Sequence, residues 1–312
     1  MAAAQDAGEP KLGGGPETQR YSGWRNRDFG PTFPNCCHSD LLGVGSRLQA
    51  PLSLWRQLFP GLLLLPVYGG IVLATFLVAH GAWSAGWAWK KMRPLLRERG
   101  HELFTPSHTG LGERSHLANR DIDLETHIAD VLGVLQFEDL RDVTLIGHSY
   151  GGMVATGVAD RAADRITRVV YLDAFVPRNG QSLVDLQGPE RRARINEGAQ
   201  TAGQGWRIPP NPMPPDTSEA DAAWANPRRV AQPLKTFLQP LRLTGAVERL
   251  PRTYIYCKRA MPGDVFRQFA ERARTEPGWK LFEIDASHNP HITETVLLAS
   301  LLDSITSDGP GT

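Results

Sequence analysis

The serine at position 149 has the neighbours that a catalytic nucleophile requires. It lies in residues 147–152, which read GHSYGG, after an apolar run at 143–146 and before a helical pattern at 151–163. A sharp turn between a strand and a helix holds a hydroxyl clear of the sheet, and glycine neighbours let the two elements pass closely. The helix N-terminus also stabilises negative charge that develops nearby. The pattern predicts that Ser149 is the nucleophile of an acyl-transfer reaction.

Of the 9 histidines, His288 is the best placed to act as the general base. A hydroxyl attacks a carbonyl only when a base takes its proton, and an imidazole is suited to this task near neutral pH. His288 follows the apolar run at 280–284, so it lies after the last predicted strand and before the last predicted helix. His291, a little further on, is the alternative base.

Two backbone N–H groups are candidates for an oxyanion hole, the pair of donors that stabilises negative charge on the attacked oxygen. One belongs to Tyr150, directly after the serine. The other belongs to Ala82, in the loop after the first predicted strand, which ends at the same edge of the sheet as Ser149. The prediction concerns the backbone of these two residues and not their side chains.

The order of the predicted elements indicates an α/β fold with a mostly parallel, doubly wound sheet. Apolar runs at 71–79, 101–105, 143–146, 168–172, 253–257 and 280–284 alternate with helical patterns. A long segment with many prolines, 177–247, interrupts this alternation. We therefore expect a core formed by 71–176 and 248–306. The segment 177–247 would be a cap or lid, inserted after the strand that follows the nucleophile helix.

Residues 1–70 differ from the rest of the chain. Three consecutive glycines at 13–15 and scattered prolines, without helical or strand periodicity, predict a poorly ordered N-terminal extension. The apolar run 61–79 is almost long enough to span a bilayer, which leaves a membrane anchor as an alternative. Pro66 and two glycines break that run, and its second half, rich in β-branched residues, favours a buried strand. We therefore expect no membrane association.

Charge and cysteine content narrow the possible partners. The chain has 34 Lys and Arg against 33 Asp and Glu, so it has no strong bias toward nucleic acid or another polyanion. Cys36 and Cys37 are adjacent, and with Cys257 they do not show the spacing of a metal site. These features predict a neutral small molecule as the partner, no metal, no organic cofactor and a reducing, cytoplasmic compartment.

Several motifs resemble one branch of the α/β-hydrolase fold superfamily, which holds plant methyl-ester esterases, hydroxynitrile lyases and bacterial serine esterases of the pyrethroid-hydrolysing type. The segments are 76–83 (FLVAHGAW), 87–89 (WAW), 147–152 (GHSYGG), 173–177 (DAFVP) and 254–257 (YIYC). The resemblance covers about 71–304. It implies a serine hydrolase with an acid that orients the histidine.

The position of that acid departs from the pattern of the resembled branch. There the aspartate usually follows the strand that ends at Cys257, but 258–264 reads KRAMPGD, and its only carboxylate, Asp264, has the position of a helix N-cap. Asp173 ends the strand after the nucleophile helix, beside the nucleophile strand, where other hydrolases of this fold hold the acid. Asp173 is the first choice and Asp264 the second, and a site without an acid stays open.

The resulting hypothesis is a carboxylic ester hydrolase that forms an acyl-enzyme on Ser149. Its substrates would be small to medium esters of apolar or aromatic character, because aromatic residues and prolines are frequent in the predicted cap. A lyase that uses the same residues to cleave a cyanohydrin is one alternative. A ligand-binding protein without turnover is the other, since some members of this fold are receptors.

Overall fold

The computed structural model describes residues 74–259 and 263–307. Eight strands occur in these residues: β1 (Thr75–Ala79), β2 (Glu102–Phe104), β3 (Val143–His148), β4 (Ile166–Leu172), β5 (Arg207–Ile208), β6 (Gln232–Pro233), β7 (Arg252–Cys257) and β8 (Trp279–Ile284). Six of them form one parallel sheet in the order β2-β1-β3-β4-β7-β8. β5 and β6 form a separate antiparallel pair. The predicted α/β fold with a parallel sheet is confirmed.

Helices connect the parallel strands, as expected where neighbouring strands run in the same direction. The described residues contain α1 (Met92–Glu98), α2 (Leu124–Phe137), α3 (Gly151–Arg161), α4 (Leu183–Gln187), α5 (Pro189–Ala202), α6 (Glu219–Ala225), α7 (Lys235–Leu238), α8 (Arg267–Thr275), α9 (Pro290–Thr293) and α10 (Thr295–Ser307). Of these, α2 begins at the N-cap Asp123, whose carboxylate accepts a hydrogen bond from the backbone N–H of Thr126.

The sheet is buried on both faces. Successive side chains of a strand point to opposite sides, so Leu77 and Leu145 pack into a cluster that includes residues of α2, α3 and α8. Their neighbours Phe76 and Ile146 pack on the other face, in a cluster that includes residues of α1 and α10. Strands covered on both sides read as continuous apolar runs, which is why the sequence pattern identifies them.

The helical segment between β1 and β2 is divided in two. Gly86–Trp89 forms a 3-10 turn, and α1 begins only at Met92. The reason is Pro94, which a continuous helix would place in its interior, where the missing N–H and the ring would break it. Since α1 begins at Met92, the proline lies in its first turn, where no backbone hydrogen bond is lost.

An insertion lies between β4 and β7 and contains α4 to α7 together with the β5–β6 pair. It includes the segment 177–247, whose role as a cap stays a prediction. The predicted N-terminal extension, residues 1–70, lies outside the described residues. The apolar run 61–79 lies partly outside them too, and its last residues form β1. Within 74–259 and 263–307, no helix has the length and apolar character needed to cross a membrane.

Candidate active site

Ser149 lies at the sharp turn between β3 and α3, as its sequence motif predicts. Its φ angle is +56°, in the left-handed region that residues other than glycine rarely adopt. The Ser149 carbonyl accepts hydrogen bonds from the backbone N–H groups of Gly152 and Phe175, at 3.0 and 3.1 Å. These contacts hold the turn in a conformation that is unfavourable in isolation.

Gly151 and Gly152 allow this turn to pack against the ends of two neighbouring strands. A Cβ atom on Gly151 would lie 1.9 Å from the carbonyl oxygen of Ala79, which ends β1. One on Gly152 would lie 2.1 Å from the carbonyl oxygen of Phe175. Both distances are far shorter than a nonbonded contact permits, so a side chain at either position would displace the turn.

Ser149, His288 and Asp173 form one chain of hydrogen bonds. The Ser149 hydroxyl donates to Nε2 of His288, with Oγ and Nε2 2.9 Å apart. Nδ1–H of His288 donates to Oδ2 of Asp173 at 2.7 Å. The three residues follow three different strands, β3, β4 and β8, and meet because the carboxyl ends of parallel strands lie at one edge of the sheet. The geometry is that of a nucleophile, a base and an orienting acid.

The Asp173 carboxylate is buried, and 4% of the residue is exposed. Burial raises the pKa of this carboxyl, an effect that the hydrogen bond from His288 opposes. Its other oxygen, Oδ1, accepts from the backbone N–H of Cys257 at 3.4 Å. The backbone of Asp173 has a φ angle of +41° and its N–H donates to the carbonyl of Ile255. Contacts with β7, the strand beside β4, therefore fix the carboxylate next to the imidazole.

Asp264, the second choice for the acid, has other partners. Its carboxylate accepts hydrogen bonds from the Tyr256 hydroxyl at 2.6 Å and from the backbone N–H of Phe266 at 2.8 Å. Among the described residues it makes no hydrogen bond with His288. The structure thus brings Asp173 to the histidine, while Asp264 stabilises the turn before α8.

His291, the alternative base, packs against the rings of Trp89 and His148. It is buried, and its ring stacks on that of Trp89 with the centroids 4.7 Å apart. Burial lowers the pKa of His291 to about 3. The structure places the Ser149 hydroxyl against His288 instead.

Two side chains that the sequence analysis did not identify hold His288 in place. Nε2–H of His148 donates to the backbone carbonyl of His288 at 2.8 Å. The ring of Phe266 stacks on the His288 imidazole, with the centroids 4.8 Å apart and the planes 14° from parallel. For His148, its position inside the serine motif is a sequence signal that places it near the site. For Phe266 the sequence gives no such signal.

The two predicted oxyanion donors line the same cavity as Ser149. In the described part of the chain, neither the backbone N–H of Ala82 nor that of Tyr150 donates a hydrogen bond to a protein acceptor. The Tyr150 side chain points elsewhere, since its hydroxyl bonds to Nδ1 of His127 at 2.9 Å in the core. Gly81 lies against the nucleophile, where a Cβ would approach the Cβ of Ser149 to 3.2 Å.

The cavity above Ser149 has a volume of about 610 Å³. Its wall is mainly apolar and comes both from the core, with Trp83, Trp87 and Phe175, and from the insertion, with Ile208 and Phe237. Arginines of the insertion also line it. Among the aromatic residues and prolines of the predicted cap, Trp206 and Trp224 do not line this cavity, while Pro209, Pro212 and Pro214 do. No three His, Cys, Asp or Glu side chains within 74–259 and 263–307 are grouped as metal ligands.

The fold and this geometry define an α/β hydrolase, and the chain belongs to the alpha/beta hydrolase family, whose sequence model matches residues 76–300. It is 42% identical over 226 residues to the carbendazim hydrolyzing esterase of Nocardioides sp. (strain SG-4G), covering 70% of this chain and 93% of that protein. It is 31% identical over 104 residues to methylesterase 2 of Arabidopsis thaliana, covering 33% of this chain and 40% of that protein.

A solved structure extends this similarity. It is an extracellular α/β-hydrolase from a Paenibacillus species, described as sharing structural and functional homology with tobacco salicylic acid binding protein 2. It matches with a TM-score of 0.65 at 27% identity, and the match covers 74% of this chain and 98% of that one. The superfamily and the branch that the sequence motifs resemble are confirmed. The predicted enzyme class, a carboxylic ester hydrolase, agrees with these relatives.

Proposed function

We propose that this protein is a serine carboxylesterase that hydrolyses small to medium esters of apolar or aromatic character through an acyl-enzyme on Ser149. The observation that carries the proposal is the chain of hydrogen bonds from Ser149 through His288 to Asp173 at the base of a mainly apolar cavity. Relatives named as esterases support the same reaction class.

In the first step, Ser149 Oγ attacks the ester carbonyl while its proton passes to Nε2 of His288. The negative charge that forms on the carbonyl oxygen is stabilised by the N–H groups of Ala82 and Tyr150. The intermediate collapses when His288 returns the proton to the departing alcohol. Asp173 keeps the imidazole in the tautomer that accepts at Nε2 and stabilises the imidazolium that forms in between.

In the second step, water replaces the alcohol. His288 takes a proton from the water, which attacks the acyl carbon, and the same two N–H groups stabilise the second oxyanion. Collapse of this intermediate releases the carboxylic acid and returns the proton to Ser149. Every proton transfer uses one histidine nitrogen, so no metal or organic cofactor enters the scheme.

The segment 177–247 is proposed as the cap that selects the substrate. It supplies Ile208, Met213 and Phe237 to the cavity wall, to which the core contributes Trp83 and Phe175. A cavity of about 610 Å³ with this lining suits a compact acyl or aromatic group. The name of the Nocardioides relative makes carbendazim a further substrate to test.

The test is hydrolysis of p-nitrophenyl butyrate by the wild-type protein and by Ser149→Ala, with circular dichroism to show that both are folded. We expect turnover by the wild type and a loss of at least about 10³-fold in the variant. Turnover that survives in Ser149→Ala would contradict the proposal. A wild type that releases cyanide from mandelonitrile, or that binds esters without turnover, would favour the lyase or the receptor.

A further inference from the structure

Trp83 follows the oxyanion donor Ala82 directly and has a φ angle of +58°. This left-handed conformation is uncommon for a residue with a large side chain. Such a conformation persists when the surrounding structure fixes it, and it often lies at a functional site. The loop that carries the Ala82 N–H therefore depends on contacts that hold Trp83.

Those contacts come from the insertion. The backbone N–H of Trp83 donates to Oε1 of Gln232 at 3.2 Å, and its indole Nε1–H donates to the carbonyl of Ile208 at 2.8 Å. Ile208 and Gln232 are direct partners in the antiparallel pair β5–β6. One small sheet thus binds both the backbone and the side chain of Trp83.

The Gln232 amide is fixed in one orientation. The side chain is completely buried, and its Nε2–H donates to Oγ1 of Thr236 at 2.8 Å. That hydroxyl uses its own proton to donate to the carbonyl of Pro233, so it can only accept from Gln232. The amide nitrogen therefore faces Thr236, and the oxygen faces the N–H of Trp83.

We propose that Gln232 is a positioning residue for the oxyanion hole. Its amide oxygen holds the peptide group between Ala82 and Trp83, and so fixes the direction of the neighbouring Ala82 N–H. The hole is then complete only while β5 and β6 hold Trp83. This inference rests on the proposed esterase function, because it assigns a role within that reaction.

The role predicts a particular kinetic signature. Stabilisation of an oxyanion acts in the transition state and hardly at all on the bound ester, so its loss lowers kcat with little change in KM. Removal of an entire oxyanion donor typically costs 10²–10³-fold in kcat. Loss of a group that only orients a donor is expected to cost less, on the order of 10- to 100-fold.

The central variant is Gln232→Met, which keeps the length of the side chain and removes the amide oxygen. We expect kcat for p-nitrophenyl butyrate to fall on the order of 10- to 100-fold, with KM within about 2-fold of the wild type. Gln232→Glu keeps an oxygen acceptor toward Trp83 and should recover part of the loss. A boronic acid, which forms a tetrahedral adduct on the serine, should bind Gln232→Met more weakly by a similar factor.

Ser182→Ala is the matched control. Ser182 is also buried in the insertion, where its hydroxyl accepts from the N–H of Asp185 at the start of α4, whereas the described hydrogen bonds of Trp83 go to Gln232 and Ile208. This variant should lose stability and keep its kcat. The control therefore separates a general loosening of the insertion from the loss of the Gln232 amide.

A folded Gln232→Met with unchanged kcat, or with only a raised KM, would overturn the inference. If Gln232→Met does not fold, Gln232→Asn tests the same contact, since it keeps the amide and, one methylene shorter, draws its oxygen away from the Trp83 N–H. An unchanged kcat in a folded Gln232→Asn would then overturn the inference. Absence of Ser149-dependent turnover in the wild type is a separate result, which contradicts the esterase proposal itself.

Discussion

The Asp173 carboxylate accepts a 2.7 Å hydrogen bond from Nδ1 of His288, although the two residues are 115 positions apart in the chain. Asp173 follows β4 and His288 follows β8, and both strands end at the edge of the sheet where β3 presents Ser149. β4 is the direct neighbour of β3. An acid on β4 therefore reaches the imidazole without help from the loop after β7.

This relationship predicts that Asp173→Asn and Asp264→Asn differ strongly in activity. An asparagine at 173 keeps the shape but loses the charge and favours the wrong tautomer of His288, which lowers kcat by about 10³–10⁴-fold. Asp264 bonds to Tyr256 and caps the turn before α8, so its replacement should lower kcat less than about 5-fold. Steady-state hydrolysis of p-nitrophenyl butyrate at neutral pH measures both.

Asp264→Asn is also the control for folding, because both variants remove one carboxylate from the cavity wall. Melting temperatures of the two proteins should show that each remains folded at the assay temperature. If Asp264→Asn were the inactive variant, or if Asp173→Asn kept wild-type kcat, the assignment of the acid would be wrong.

The glycines of the turn give a second prediction. Gly151→Ala should destabilise the protein by about 3 kcal/mol, since its Cβ would lie 1.9 Å from the Ala79 carbonyl oxygen and nothing there can move aside cheaply. Gly133 is the matched control, because it lies inside α2 with no atom within 4 Å of an added Cβ. Gly133→Ala should stabilise by roughly 0.5–1 kcal/mol.

Urea unfolding followed by tryptophan fluorescence measures both free energies. The two substitutions add the same methyl group to a glycine, so their difference isolates the contact with β1. Equal stability of the two variants would mean that the turn does not pack against the end of β1 as tightly as described.

His148 gives a third prediction, for activity. Its Nε2–H donates to the His288 carbonyl, so it fixes the backbone that carries the base. His148→Phe removes this donor and should lower kcat about 10-fold through misplacement of the imidazole. His148→Gln, which can donate from its amide, should lose less. A kcat for His148→Phe equal to that of the wild type would show that Phe266 and the chain itself suffice to place His288.

Sequence reasoning led to Ser149 and His288 as the candidate nucleophile and base because their local patterns single them out. A strand, a glycine-rich turn and a helix are all contiguous in the chain. The sequence pointed to Asp173 through one further argument, that the strand after the nucleophile helix lies beside the nucleophile strand. The positions of these residues follow from the order of the strands, and the hydrophobic runs in the sequence indicate that order.

Gln232 could not be found in this way. Its contact with Trp83 joins residues 149 positions apart, and it lies in the insertion, whose short helices and two-residue strands have no strong periodicity. A buried glutamine there has no sequence signature, because its role depends on the tertiary approach of β6 to the loop after β1. For the same reason, the sequence does not predict the hydrogen bond between His148 and the His288 carbonyl.

Because several histidines are buried, we expect the free energy of unfolding to decrease in mild acid. Burial lowers the pKa of His80 and His291 from 6.5 to about 3 and that of His127 to about 4. Burial also holds the pKa of His108 and His148 well below the usual range. These imidazoles stay neutral in the folded protein and take up protons on unfolding.

The sign follows from proton counting. Between pH 6.5 and the lowered pKa values, the unfolded chain binds more protons than the folded one, so the free energy of unfolding falls as the pH falls. Each such histidine contributes up to about 1.4 kcal/mol per pH unit below pH 6.5. At a pH more than about one unit above 6.5, histidine is neutral in the unfolded chain too, so the free energy of unfolding does not change through these residues. Urea unfolding at pH 7.5, 6.5, 5.5 and 5.0 should therefore show a steep decline that begins near pH 6.5.

His108 is the residue to replace in this experiment. Its ring is buried between those of His80 and His127, at centroid distances of 3.8 and 4.7 Å, and neither ring nitrogen has a hydrogen-bond partner among the described residues. His108→Phe keeps an aromatic ring and should reduce the slope of unfolding free energy against pH by close to one proton. A slope in His108→Phe that matches the wild type would mean that this imidazole is not kept neutral by the fold.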